Sequence, residues 1–285
     1  SASALAATRS VTTQRSREPG SRPTWPGLSL LAQAAFLVLH WLVAALFLWP
    51  RYLRPERPRP APIATRPARR MPALTAAASD ASAFEEYSGV YDLMARPFSI
   101  PLFRLALRRI GPLPSGAAVL DLGCGPGREL CSLAAHPSVA EAVGVDLSPA
   151  MCARARSRVR ASGVAATVVA ANAANLPNEL RDRFDLVLSS IAHHHFSDPV
   201  AVARGARSAL RAHGRYCIID YGPERTNSWL APLARVADPG WRGFLAPSEL
   251  ARLLIGAGFV EVTWSQLSPG IGVAIAETPD GPAQS

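Results

Sequence analysis

Val119-Leu120-Asp121-Leu122-Gly123-Cys124-Gly125-Pro126-Gly127-Arg128-Glu129-Leu130 packs a strand, a tight loop and the start of a helix into twelve residues. The apolar run closing on an acid predicts the strand, and glycine at every second position predicts the loop. Glycine permits positive φ and removes the Cβ that would keep a ligand off the backbone. The helix that follows aims unpaired N–H groups at whatever anionic group lies over the loop. Two common cradles of this type do not fit. A dinucleotide fingerprint needs a glycine where Arg128 stands, and a P-loop needs a Gly-Lys-Ser/Thr that never comes.

Downstream of this stretch, short apolar runs alternate with helical patterns at regular spacing. The expected order is strand 119–122, helix to about 136, strand 142–146, helix 149–160, strand 166–170, strand 184–190, helix 199–212 and strand 215–220. That pattern predicts an α/β fold with a doubly wound, mostly parallel sheet and right-handed crossovers, whose ligands sit at the strand C-termini. The end of the chain departs from it: helix 247–258, strand 259–266, the turn Ser268-Pro269-Gly270 and strand 271–277. Two strands joined by so short a turn must run antiparallel, so the seventh and last strand of the sheet is reversed.

Composition divides the chain into a basic front and a neutral body. Residues 1–71 hold 11 Arg against 2 acids, and residues 72–285 hold 19 of each. The formal charge of +9 therefore belongs to the front, and the neutral body argues against a nucleic-acid substrate. Residues 1–27 read as a disordered or targeting leader. Leu28 to Trp49 is a run of 22 residues without a charged group. As a helix it would span about 33 Å, enough to cross a hydrocarbon core of about 30 Å. Seven arginines lie in residues 50–70 against four in 8–27, which places the C-terminal side in the cytosol or its organelle equivalent. Residues 50–79, rich in Pro and Arg, predict an extended tether, and 278–285 a disordered tail. A second reading makes residues 1–70 an organelle-import leader that is removed. The four cysteines show no metal or disulfide spacing.

Several positions carry candidate chemistry. Asp146 ends the second strand in Val143-Gly144-Val145-Asp146-Leu147-Ser148 and can accept hydrogen bonds from ribose hydroxyls, or else cap the next helix. Asn172-Ala173 follows the third strand, and Ser189 closes the fourth, which runs on into His193-His194-His195. Three adjacent histidines in an extended segment would point to alternate faces, with no acid or thiol spaced to complete a metal shell. One of them is better suited to take a proton at a substrate mouth.

An acid two residues before G-x-G-x-G resembles the first motif of class I S-adenosylmethionine-dependent methyltransferases. Asn172-Ala173-Ala174-Asn175-Leu176-Pro177 resembles that family's Asp-Ala-Glu-Asn-Leu-Pro stretch, with Asn172 in place of the acid. Phe184-Asp185-Leu186-Val187 with His193-His194-His195-Phe196 is similar to its Phe-Asp-x-Val and His-His-Phe pattern. The likeness spans residues 81–277, and 80–277 is the expected domain. It is nearest the ubiquinone and menaquinone branch through Tyr91-Asp92-Leu93-Met94, Ile219-Asp220-Tyr221 and Leu267-Ser268-Pro269-Gly270. The resemblance implies a seven-stranded Rossmann-like sheet and S-adenosyl-L-methionine as cofactor. It implies donor contacts at Tyr91, Asp121, Gly123, Gly125, Gly127, Asp146, Leu147, Asn172, Ala173 and Ser189. His193 or His194 is the expected base, with Tyr221 and residues 222–245 shaping an apolar pocket. The expected acceptor is a small lipophilic molecule, a quinone precursor or related lipid, met at a membrane through residues 28–49. A lipid headgroup N-methyltransferase and a non-catalytic donor-binding module remain as alternatives.

Overall fold

The structure, a computed structural model, describes residues 100–222, 243, 245–268 and 271–280, with Ala35, Val38 and Leu42 as isolated helical positions. The leader, the rest of the 28–49 segment, the linker and the Tyr91 entry lie outside the described residues. No helix among the described residues is long and apolar enough to cross a membrane.

Seven strands form one sheet in the order β3-β2-β1-β4-β5-β7-β6. They are β1 Ala117–Leu122, β2 Val139–Asp146, β3 Thr167–Ala170, β4 Phe184–Ser190, β5 Leu210–Tyr221, β6 Val260–Ser268 and β7 Ile271–Glu277. The first five pair in parallel, and β7 enters antiparallel between β5 and β6. The strand order reverses direction between β1 and β4, so the chain leaves these two neighbours toward opposite faces. A crevice opens where such a reversal occurs, at the strand C-termini. The glycine loop and the histidine run are the exits of those two strands.

Every residue of β1 is buried, as a central strand covered on both faces requires. One face carries Val119, Leu186, Leu188 and Ile219 beneath Leu102, Phe103 and Ile110 of α1 (residues 100–110). Leu130 and Leu133 of α2 (Arg128–Ala134) and Cys152 and Ala155 of α3 (Pro149–Ser162) complete that layer. The other face carries Leu120, Leu122, Val143, Val187 and Ile218 beneath α4 (Pro199–Ala209) and α5 (Pro247–Gly256). The helices begin where the sequence supplies caps. Ser148 accepts the Met151 N–H at 3.3 Å ahead of Pro149, and Asp198 accepts the Ala201 N–H at 2.9 Å ahead of Pro199.

The helix expected over 199–212 stops at Ala209. Leu210 turns extended, buries its side chain and pairs with Phe184, so β5 starts five residues ahead of the expected Arg215. Arg215 is tied instead to the end of α1, donating to the carbonyls of Ile110 and Pro112.

Candidate active site

Four strand exits build the site. At the end of β1 the loop glycines Gly123, Gly125 and Gly127 take φ of 69°, 49° and 79°. A Cβ on Gly123 would lie 2.7 Å from the Ala192 Cβ, so the glycine loop and the β4 exit are in direct contact. Gly125 differs, since a Cβ there would meet nothing within 4 Å. The described chain leaves the space over Gly125 open, as a backbone approached by a ligand needs. The loop is pinned from below: the Gly123 and Cys124 N–H groups donate to the Val145 carbonyl at 2.8 and 3.0 Å, and Arg158 of α3 donates to the Pro126 carbonyl.

Asp146, at the end of β2, ties this loop to the next one. Its Oδ2 accepts the Gly125 N–H at 2.8 Å and its Oδ1 the Ser148 N–H at 2.9 Å. These bonds leave acceptor capacity on the carboxylate, and the group is half-buried at the loop surface. Burial pushes its pKa up, against the opposing backbone bonds from Ser148, Gly125 and Leu147. Asp121 lies on the adjacent strand. It is 1% exposed, and its Oδ2 has no hydrogen-bond partner among the described residues. Burial first, then the negative charges of Glu129 and Asp146, push its carboxyl well above the usual range.

Leu147, beside Asp146, is 41% exposed and offers an apolar surface at the rim. Asn172 is exposed, and its Oδ1 accepts the Ala174 N–H at 2.9 Å, closing a local turn that leaves one lone pair on that oxygen. Ala173 is buried, its carbonyl 2.9 Å from where a Cβ on Gly205 of α4 would stand. Ser189 is fully buried inside β4, and its Oγ has no hydrogen-bond partner among the described residues.

The β4 exit corrects one expectation. The histidines do not continue an extended segment with side chains on alternate faces. His193–His195 form a single turn of 3-10 helix, with His193 and His194 both buried. Ile191, just before it, is held at φ 49°, a conformation that a β-branched residue rarely adopts. Its N–H donates to the Ile219 carbonyl at 2.7 Å, which fixes the turn against β5. Parallel pairing of β4 and β5 then brings Asp220 under the turn. Asp220 Oδ2 accepts the His194 N–H at 2.9 Å, while Oδ1 accepts both the His194 Nδ1–H and the Tyr221 N–H at 2.7 Å. Burial acts to raise the Asp220 carboxyl, but His194, His193 and the Tyr221 N–H together hold it below the usual range. With the ring's proton drawn to Nδ1, the Nε2 lone pair is the basic end of the imidazole. His193 is buried too, and desolvation lowers its pKa to about 4, with Asp220 opposing the fall. Among the described residues no three His, Cys, Asp or Glu side chains are placed to hold a metal ion.

Asp220 is the residue missed in the sequence as a site member. Its signal was an acid closing the buried run Tyr216 to Ile219, at the same level of the sheet as the histidines.

Residues 119–214 match the family described as methyltransferase domain. The chain is 30% identical over 145 residues to the uncharacterized methyltransferase YcgJ of Bacillus subtilis, covering 47% of this chain and 56% of that one. It is 31% identical over 153 residues to a ubiquinone biosynthesis O-methyltransferase of Xanthomonas axonopodis pv. citri, covering 51% and 63%. The crystal structure of YcgJ superposes with a TM-score of 0.55 at 20% identity, over 63% of this chain and 98% of that one. Residues 119–214 are thus matched by a methyltransferase domain, and the seven-stranded sheet around them has the fold of these methyltransferase structures. A third similar protein is phosphoethanolamine N-methyltransferase 2 of Haemonchus contortus, solved with S-adenosylmethionine. It superposes at TM-score 0.54 and 18% identity, over 62% of this chain and 52% of that one. The chain spans about six-tenths of the length of the two curated relatives it matches above.

S-adenosyl-L-methionine is the molecule bound in the Haemonchus structure. The residues present fit it. Asp146 has acceptor capacity left at the loop surface, Gly125 faces open space, and the buried Asp121 Oδ2 is an acceptor in want of a cation.

Proposed function

We propose that the protein methylates a hydroxyl group of a small lipophilic acceptor, a quinone precursor or related phenolic lipid. The observation that carries this reading is the buried His194–Asp220 pair, joined at 2.7 Å, on the strand exit that packs against the glycine loop. Bound in the loop, S-adenosylmethionine supplies an activated methyl group. Asp146 would hold its ribose hydroxyls, Leu147, Asn172 and Ala173 would frame its adenine, and Asp121 would face its ammonium group. An ammonium beside Asp121 would favour the ionised carboxylate that burial now opposes.

For the acceptor, the chain must remove a proton. Asp220 keeps one proton on His194 Nδ1, so Nε2 takes the hydroxyl proton as the acceptor oxygen is alkylated. The imidazolium so formed stays paired with the Asp220 carboxylate, and no net charge is stranded in the core. An amine acceptor would need no such base when it arrives unprotonated. The O-methyltransferase from Xanthomonas supports oxygen as the reacting atom.

The uncharged run of residues 28–49 would place this chemistry at a membrane, with the arginines that follow on the catalytic side. Tethering there raises the effective concentration of enzyme over an acceptor dissolved in the bilayer. The test is S-adenosylhomocysteine release by the full chain with phenolic acceptors in vesicles. Turnover that falls at least about a hundredfold in H194A, with S-adenosylhomocysteine binding retained, is expected. Full turnover in the H193A/H194A double variant would end the reading, as would donor binding with no turnover on any hydroxyl.

A further inference from the structure

One aromatic ring keeps two glycines of the sheet bare. A Cβ on Gly272, at the start of β7, would lie 2.1 Å from Trp264 Cζ2, and one on Gly222, just past β5, 2.4 Å from the same atom. The indole therefore occupies the side-chain space of both positions. Trp264 sits on the edge strand β6 and pairs with Ala274, while Gly272 pairs with Asp220 on β5. Directly paired residues of antiparallel strands share a face, as do alternate residues along one strand. Ile218, Ala274 and Trp264 pack in one layer, so Asp220 and Gly272 lie on that same face. The ring thus runs from β6 across β7 to the end of β5, alongside the residue that holds His194. It is half-buried.

Glycine inside a strand sacrifices packing and marks a place where something must come close. Here a glycine in β7 and another just past the end of β5 make room for one flat ring, at the end of the sheet where the acceptor proton is taken. From this geometry we infer that Trp264 is the acceptor-contacting wall, and that it selects flat ring acceptors over puckered ones by offset stacking. The inference rests on reading His194–Asp220 as the acceptor base.

The test measures binding alone. The full chain, loaded with S-adenosylhomocysteine, is titrated with 2-naphthol and with its saturated counterpart decahydro-2-naphthol, in wild type, W264F and W264A. Wild type should prefer the flat probe. W264A should bind it about tenfold more weakly and lose the preference, while W264F stays within about threefold of wild type. Retained S-adenosylhomocysteine affinity shows that each variant is folded. If W264A fails that control, G222A takes its place, because its Cβ displaces the ring without deleting it. Equal affinity of W264A and wild type for 2-naphthol overturns the inference. So does a wild type that binds S-adenosylhomocysteine but neither probe, or both equally. Failure to bind S-adenosylhomocysteine at all would instead sink the methyltransferase reading beneath it.

Discussion

D220N removes one charge from the site and almost no volume. Asp220 accepts three hydrogen bonds, two on Oδ1 and one on Oδ2. An amide can reproduce at most two of these arrangements. With its oxygen in the Oδ1 position, its NH₂ confronts the His194 backbone N–H. Turned over, its NH₂ confronts both the His194 ring and the Tyr221 N–H, and only the opposite tautomer of His194 can then meet it. Either way a buried donor is left unsatisfied, which costs about 1–3 kcal/mol of stability. For a folded part of this size that lowers Tm by roughly 2–4 °C per kcal/mol. The loss in catalysis should be larger. In the turned-over arrangement Nε2 already carries a proton, and in both the imidazolium loses its carboxylate partner, so kcat should fall by about 10²–10⁴. The glycine loop and Asp146 are untouched, and S-adenosylhomocysteine affinity should change by less than about twofold. The assays are S-adenosylhomocysteine release with a phenolic acceptor, calorimetric donor binding and thermal unfolding. A variant that loses stability as calculated yet keeps the wild-type kcat would refute the proton-transfer argument.

D146N should weaken S-adenosylhomocysteine binding at least about tenfold in calorimetry, because a neutral amide accepts ribose hydroxyls less strongly than a carboxylate. G123A should destabilise the domain by about 1–3 kcal/mol, from positive φ and from the 2.7 Å approach to Ala192. Adding A192G removes the clash but not the φ, so the double variant should recover part of the loss in urea unfolding and show coupling above about 0.5 kcal/mol. His193 is neutral in the folded state down to about pH 4, whereas the unfolded chain takes up this proton near pH 6.5. The unfolded state therefore binds more protons between those values, and stability should fall with decreasing pH there, by up to about 3 kcal/mol. H193Q should flatten that slope. Asp220, whose pKa is also lowered on folding, acts in the same direction at lower pH: its stabilisation is present above the ordinary carboxylate range and is lost as pH falls below it.

Local signals carried much of the fold. β4 and β7 run over Phe184–Ser190 and Ile271–Glu277, as the apolar runs and flanking turn residues predict. The reversed last strand followed from turn length alone and appears in the pairing of β7 with both β5 and β6. Helix ends were less legible. Nothing local in Leu210-Arg211-Ala212 announces that Leu210 leaves the helix, since its reason is a buried place beside Phe184 on another strand. The glycine loop and Asp146 could be read because each closes a strand just ahead of a helix, within its own strand-loop-helix unit. The His194–Asp220 pair could not, because its members stand 26 residues apart and meet only through the parallel pairing of β4 and β5. The same holds for Gly123 against Ala192, and for Trp264 over Gly222 and Gly272.

The account stands or falls on where the methyl group goes. Full-length protein would be incubated with methyl-labelled S-adenosylmethionine and a lipid extract of the cells that make it, and the labelled product analysed by mass spectrometry. The expected result is label in an O-methyl ether, lost in H194A and in D220N. Label on nitrogen that persists undiminished in H194A, or no labelled product from a protein that binds S-adenosylhomocysteine, would contradict it.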